Sequence, residues 1–304
     1  KETRARVQRL IDEYGYKPNL LARGVATSRT KTIGLVIPDI TNPFFPALIK
    51  AIEHCASERE YTVVLCNTDS SPEKEKQSIS TLIANRVDGI ILATVLEEQR
   101  CIPYDFAKYN IPCVLIDRRT KGFDYSAGVF VDNEYAFYIA AELLIKHGNR
   151  RIAFIAGPSN LSTTQERLAG YCSALKQYAL HYDPALVVQG NFQYESGYAA
   201  VMRLHGHGIP FTAVLASNDV MAIGALKALR DIGRAVPGEV EVVGFDNIQY
   251  SHMFVPHLST VEQPCYAQGK LVIEKLIENM KATNPDHNLY TLPHSLVLRE
   301  STGD

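Results

Sequence analysis

Residues 33–60 read IGLVIPDITNPFFPALIKAIEHCASERE. IGLVIP is an aliphatic run with no polar alternation, so a strand there has both faces buried, the mark of a parallel sheet covered by helices. From Phe45 the apolar residues recur every three to four positions, which predicts an amphipathic helix over 45–60. The same beat repeats down the chain. Strands are expected at 33–38, 62–67, 88–94, 113–117, 129–132, 151–157, 186–192, 212–218 and 240–246, and further helices at 134–148, 164–178 and 219–233. Nine such strands exceed one comfortable sheet. The expected fold is therefore α/β, with two doubly wound parallel-sheet lobes in series and a helical N-terminal arm.

Size agrees with two lobes, since 304 residues exceed one ordinary domain. No apolar run approaches the roughly 18 residues of a membrane span. The opening KETRARVQRL lacks the apolar core of an export signal. Six cysteines at 55, 66, 101, 113, 172 and 265 form no C-x-x-C pair and fall mostly in apolar segments, the usage of a cytosolic protein. Charge is uneven. Residues 1–31 carry eight Lys or Arg against three acids, a net of +5; the remaining 23 basic and 30 acidic residues give −7. A basic arm on an acidic body points to a polyanion for the arm and a small-molecule or protein partner for the body.

Doubly wound sheets bind ligands beyond the carboxyl ends of their strands. Polar residues at those ends are Asp39, Asn42, Asp117, Asp132, Asn218, Asp219 and Asp246. In the arm, Val7, Leu10, Ile11 and Tyr14 share one helical face, with Gly15 as its C-cap. Residues 19–27 form at best a marginal helix, interrupted by Gly24, that needs outside support to order. Paired copies on a DNA minor groove supply such support; a plain linker is the alternative.

The run Y-K-P-N-x-x-A-R-x-V-x-T-x-x-T-x-T-I-G-L-V-I-P-D-I-T-N-P-F-F from Tyr16 resembles the hinge and first strand of the lactose/galactose repressor (LacI/GalR) family. QERLAGY (165–171), ASNDVMAIGALKAL (216–229), VEVVGFDNI (240–248) and LSTVEQP (258–264) extend the likeness over nearly the whole chain. The resemblance implies a bacterial transcriptional regulator, by analogy a repressor, with a two-lobed core shaped like a periplasmic sugar-binding protein. Residues 1–31 then correspond to the end of a helix-turn-helix headpiece and its hinge helix, the first two headpiece helices lying outside the chain. Residues 32–132 with about 262–292 would form the N-terminal lobe, and 133–261 with about 293–304 the C-terminal lobe.

By the same resemblance Asn19, Arg23 and Val25 touch DNA in the hinge, Val25 standing where the family usually has a larger Leu. Phe44, Phe45, Asp132, Arg167, Phe192, Asn218 and Asp246 would face the effector. A sugar suits them, because paired hydroxyls satisfy Asp, Asn and Arg together while the C–H face of the ring packs on an aromatic. A purine or nucleoside is the alternative ligand. Structural readings also exist: Asn218 or Asp219 as a helix cap, Arg167 paired with Glu166, Phe44 and Phe192 as core aromatics. His205 and His207 have no third metal ligand nearby. No catalytic motif is present, so a non-enzymatic function without cofactor is expected. The expected partners are a small effector, operator DNA and a second copy of the chain, with no membrane, in the bacterial cytoplasm at the nucleoid. The rival is a periplasmic sugar-binding protein of a transporter.

Overall fold

A computed structural model describes residues 3, 6, 9, 10, 13, 14, 29–95, 106–120, 125–282 and 287–303. The first lobe is built from β1 (Thr32–Ile37), α1 (Phe44–Ser57), β2 (Thr62–Asn67), α2 (Pro72–Ala84), β3 (Gly89–Leu92), the short α3 (Phe106–Tyr109), β4 (Cys113–Ile116) and β5 (Ala127–Val131). The chain then crosses to α4 (Asn133–Lys146), β6 (Ile152–Ala156), α5 (Ser162–Gln177), β7 (Val187–Gln189), α6 (Tyr194–Gly206), β8 (Ala213–Ala216), α7 (Asp219–Asp231), β9 (Glu241–Asp246) and β10 (Ser259–Glu262). It returns with α8 (Cys265–Asn279) and β11 (Leu289–Leu292), and crosses a third time to β12 (Ser295–Val297).

Two six-stranded sheets result, ordered β2-β1-β3-β4-β5-β11 and β7-β6-β8-β9-β10-β12. All neighbours are parallel except β10 and β12. Each order reverses direction once, between β1 and β3 and between β6 and β8, and crevices for ligands open at such reversals. The strand interiors are buried throughout β3, β4, β5, β6 and β8, as continuous aliphatic runs require.

All nine expected strands are present, and three more join them. STVE (β10), LYTL (β11) and SLV (β12) lack the continuous apolar signal. In β10 the buried Ser259 and Thr260 instead spend their hydroxyls on internal partners, Arg299 O at 3.0 Å and the Asp219 carboxylate at 2.6 Å.

In the arm, the described positions 3, 6, 9, 10, 13 and 14 are helical, with Leu10 46% and Tyr14 76% exposed. Val7, Ile11 and Gly15, and the hinge positions Asn19, Arg23 and Val25, lie outside the described residues. Where the arm meets the core, Asp88 accepts hydrogen bonds from Thr30 N (2.8 Å), Thr30 Oγ1 (3.0 Å) and Lys31 N (3.0 Å). That carboxylate ties the chain before β1 to the start of β3. No described helix is long and apolar enough to cross a membrane.

Candidate functional site

The carboxyl ends of both sheets face each other, and their loops meet in one cleft. Around it stand Asn42, Phe44 and Phe45 after β1, Asp117 and Arg118 after β4, and Thr163 and Arg167 from the first turns of α5. Phe192 follows β7, Asn218 follows β8, Asp246 ends β9 and Gln263 follows β10. Six of the seven expected effector residues are thus together. Asp132 is not among them. It is exposed on the first crossover and caps α4 by accepting from Tyr135 N at 2.9 Å.

Phe44 and Phe45 open α1 and pack edge to face at 5.1 Å, both buried, so each serves the core of the first lobe as well as the cleft. Arg167 does not pair with Glu166. Its Nε donates to Asn133 Oδ1 (2.9 Å), its Nη1 donates to Ser217 O (2.5 Å), and its guanidinium lies 4.0 Å over the Phe245 ring. This fork is fixed before any ligand arrives. Asn218 fills both of its roles within the protein: Oδ1 caps α7 by accepting from Met221 N (3.0 Å), and Nδ2 donates to the Phe192 carbonyl (3.0 Å). The cap thereby holds the loop carrying Phe192. Gly157 is needed opposite, because a Cβ there would collide with the Phe192 ring.

Three cleft residues have left-handed backbones: Asp117 (φ 65°), Phe192 (φ 67°) and Asp246 (φ 112°). None is a glycine, so each conformation costs on the order of 1–3 kcal/mol, a cost concentrated at ligand clamps and active sites. The electrostatics are equally unfavourable for a purely structural core. Burial pushes the Asp246 carboxyl up to about 7 against the opposing pull of Arg167 and a 2.8 Å hydrogen bond from Gln263 Nε2, and the Asp117 charge adds to the rise. Burial raises Asp117 too, although Arg118 and Arg167 oppose it. Both guanidiniums are pushed below their ordinary range, again mainly by burial. Arg118 is only 6% exposed, yet its Nε and Nη1 have no hydrogen-bond partner; Asp117 Oδ2 lies 3.6 Å from Nε, too far for one. Buried donors of this kind are rare without a function.

Polar contacts draw the lobes together at the rim. Gln193 Nε2 donates to Asp39 Oδ2 (2.7 Å), Arg119 N donates to Ser162 Oγ (2.9 Å), and the Arg119 side chain pairs with Glu166 at 3.2 Å. The enclosed space is about 20 Å³, room for about one water. A wider space of about 950 Å³ adjoins it, sharing Phe44, Asp246 and Gln263 with the cleft and lined also by Ile40, Asn247 and Tyr250.

Asp117 and Asn42 are strand-end polar residues in the sequence, and the resemblance gives neither an effector role. Arg118 follows the apolar CVLID directly, but no spacing or motif in the sequence marks it. Gln263 follows a strand that the apolar pattern does not reveal.

Residues 30–297 match the family described as periplasmic binding proteins and the sugar binding domain of the LacI family. The chain is 34% identical over 304 residues to the HTH-type transcriptional regulator RegA of Clostridium saccharobutylicum, covering 99% of this chain and 91% of that protein. It is 35% identical to the ribose operon repressor of Halalkalibacterium halodurans, with 99% and 88% covered. The structure of a LacI family regulator from Enterococcus faecium with bound ribose superposes with a TM-score of 0.80 at 28% identity, covering 89% of this chain and 98% of that one.

Proposed function

The chain belongs to the LacI family, and from that membership we propose that it is a DNA-binding transcriptional regulator, a repressor, whose cleft takes a small sugar. A pentose of the ribose type is the effector we favour. One observation carries this reading: two acids, two arginines and three amides from both lobes converge on a single cleft beside three aromatic rings. Vicinal hydroxyls act as donor and acceptor at once, so they satisfy Asp117 and Asp246 on one side and Arg118 on the other. Phe44 or Phe192 then covers the C–H face of the ring. The ribose operon repressor among the relatives and the ribose-bound Enterococcus faecium regulator support the choice of sugar.

The site has the logic of a switch. A ligand that bridges the lobes favours their closed arrangement, and closure moves the first lobe, to which Asp88 fastens the arm. The spacing of two arms, and with it the ordering of hinge residues Asn19, Arg23 and Val25 on DNA, then depends on the ligand with a coupling of roughly 1–3 kcal/mol. Two arms require two chains. An apolar groove of about 580 Å³ lined by Ile223, Leu226 and Val236, beside Phe254 (48% exposed) and Val255 (84%), supports a homodimer formed through the second lobe. Such a protein works in the cytoplasm, where its DNA is, and catalyses nothing.

The test is thermal unfolding with ribose. At about 100 times its Kd a cleft ligand adds roughly 2.7 kcal/mol of stability. We expect that gain in the wild type and its loss in Asp246→Ala. A wild-type melt unmoved by ribose, or one moved equally in Asp246→Ala, contradicts the assignment.

A further inference from the structure

At the end of β9 the left-handed conformation is held for two residues in succession, Asp246 (φ 112°) and Asn247 (φ 53°). Such a pair persists only where its surroundings over-determine it. Here they do. Ile248 N donates to Asp219 Oδ2 (2.9 Å), and the Thr260 hydroxyl donates to Asp219 Oδ1 (2.6 Å) while accepting from Asn247 N at 3.4 Å. From the far end of the chain, Arg299 donates to Asn247 Oδ1 (2.6 Å) and Leu258 O (2.6 Å). The Ser251 hydroxyl closes the turn on Ile248 O at 2.7 Å. Gly244 makes the room, since a Cβ there would strike the Asp219 carboxylate.

Asp219 is expensive to keep. It is wholly buried, and burial together with the nearby Asp246 charge pushes its carboxyl well above the ordinary range. It is not needed as a helix cap, because Asn218 already caps α7. Neither Asp219, Thr260 nor Arg299 lines the cleft cavity. We propose that these three are positioning residues, a clamp that holds the Asp246–Asn247 backbone in its strained form and so aims the Asp246 carboxylate into the cleft. The proposal rests on Asp246 being an effector contact and extends it to residues that never touch the ligand.

Thr260→Val tests it, since it keeps the shape of the side chain and removes both hydrogen bonds of the hydroxyl. Hydrogen exchange is measured on the unliganded chain, and ribose affinity by titration. We expect exchange at the Asn247 and Ile248 amides to rise at least tenfold relative to β8, and the ribose Kd to rise about tenfold. Ile79→Val, a buried change in the first lobe, loses stability without touching the clamp and leaves the Kd within twofold. Arg299→Lys, unable to serve Asn247 and Leu258 together, gives an intermediate Kd, and it replaces Thr260→Val in both measurements should the latter not fold. Wild-type exchange at 247 and 248 in the folded variant, or a Kd within twofold of wild type, overturns the clamp. Ribose binding undiminished in Asp246→Ala would instead sink the cleft reading, while the exchange result still judges the clamp.

Discussion

Replacing Asp246 by Asn should make the unliganded protein more stable and useless as a sensor. The carboxyl, ordinarily at 3.8, is pushed up to about 7. A displacement of that size corresponds to about 4 kcal/mol spent on holding the charged form in the fold. The sign follows from proton counting. Between pH 4 and 7 the native state binds more protons at this site than the unfolded chain does, so wild-type stability falls as pH rises through that window and the full cost is present above pH 7. Asn cannot ionise, is nearly the same size, and still accepts the Gln263 hydrogen bond. Asp117 and Asp219 are raised as well and tilt the wild type in the same direction, so the informative quantity is the difference between the two proteins. Denaturant unfolding at pH 5 and pH 8 measures it. Asp246→Asn should exceed the wild type by several kcal/mol at pH 8, the gap narrowing towards pH 5, while ribose stabilises the variant far less. A variant no more stable than wild type at pH 8, or a gap independent of pH, refutes the reasoning.

Three further outcomes are expected. Arg167→Met keeps packing over Phe245 but leaves Asn133 Oδ1 and Ser217 O without their donor; unfolding measurements should show a loss of about 1–3 kcal/mol, with sugar binding abolished. Phe192→Ala removes the ring that fills the space above Gly157, and titration should give a sugar Kd roughly ten times weaker, the worth of one aromatic contact of about 1.4 kcal/mol. Val255→Asp puts a charge into the apolar face of the second lobe, and sedimentation at micromolar concentration should show monomers where the wild type sediments as a dimer.

The doubly wound architecture was legible because its signal is strong and repeated: IGLVIP, DGIILAT and RIAFIAG are short, rich in Ile and Val where helices are longer, and recur between amphipathic segments, which marks them as interior strands. Three strands were not: β11 and β12 are edges with one neighbour each, and the interior β10 carries polar residues satisfied by distant groups such as Asp219 and Arg299. The cleft residues divide in the same way. Asn218 and Asp246 stand at strand ends, where the winding rule directs attention, whereas Phe44, Phe45, Arg167 and Phe192 are legible only through the family resemblance; the structure brings all six together. Asp132 satisfies the same rule and still lies apart, since a residue at the crossover can cap the next helix as readily as face a ligand. Arg118, hidden behind Asp117, announces itself only through buried nitrogens that lack partners, a fact no spacing pattern contains. Asn218 shows a third case: cap and cleft residue at once, so the two readings of the sequence were never exclusive.

Calorimetric titration of this chain with pentoses, hexoses and purines, run side by side on wild type and Asp246→Ala, goes most directly to the central claim. The account predicts one sugar bound per chain in the wild type, ribose or a near relative binding tightest, and no measurable heat in the variant. Binding of a purine in preference to every sugar, or a sugar isotherm unchanged in Asp246→Ala, would contradict it.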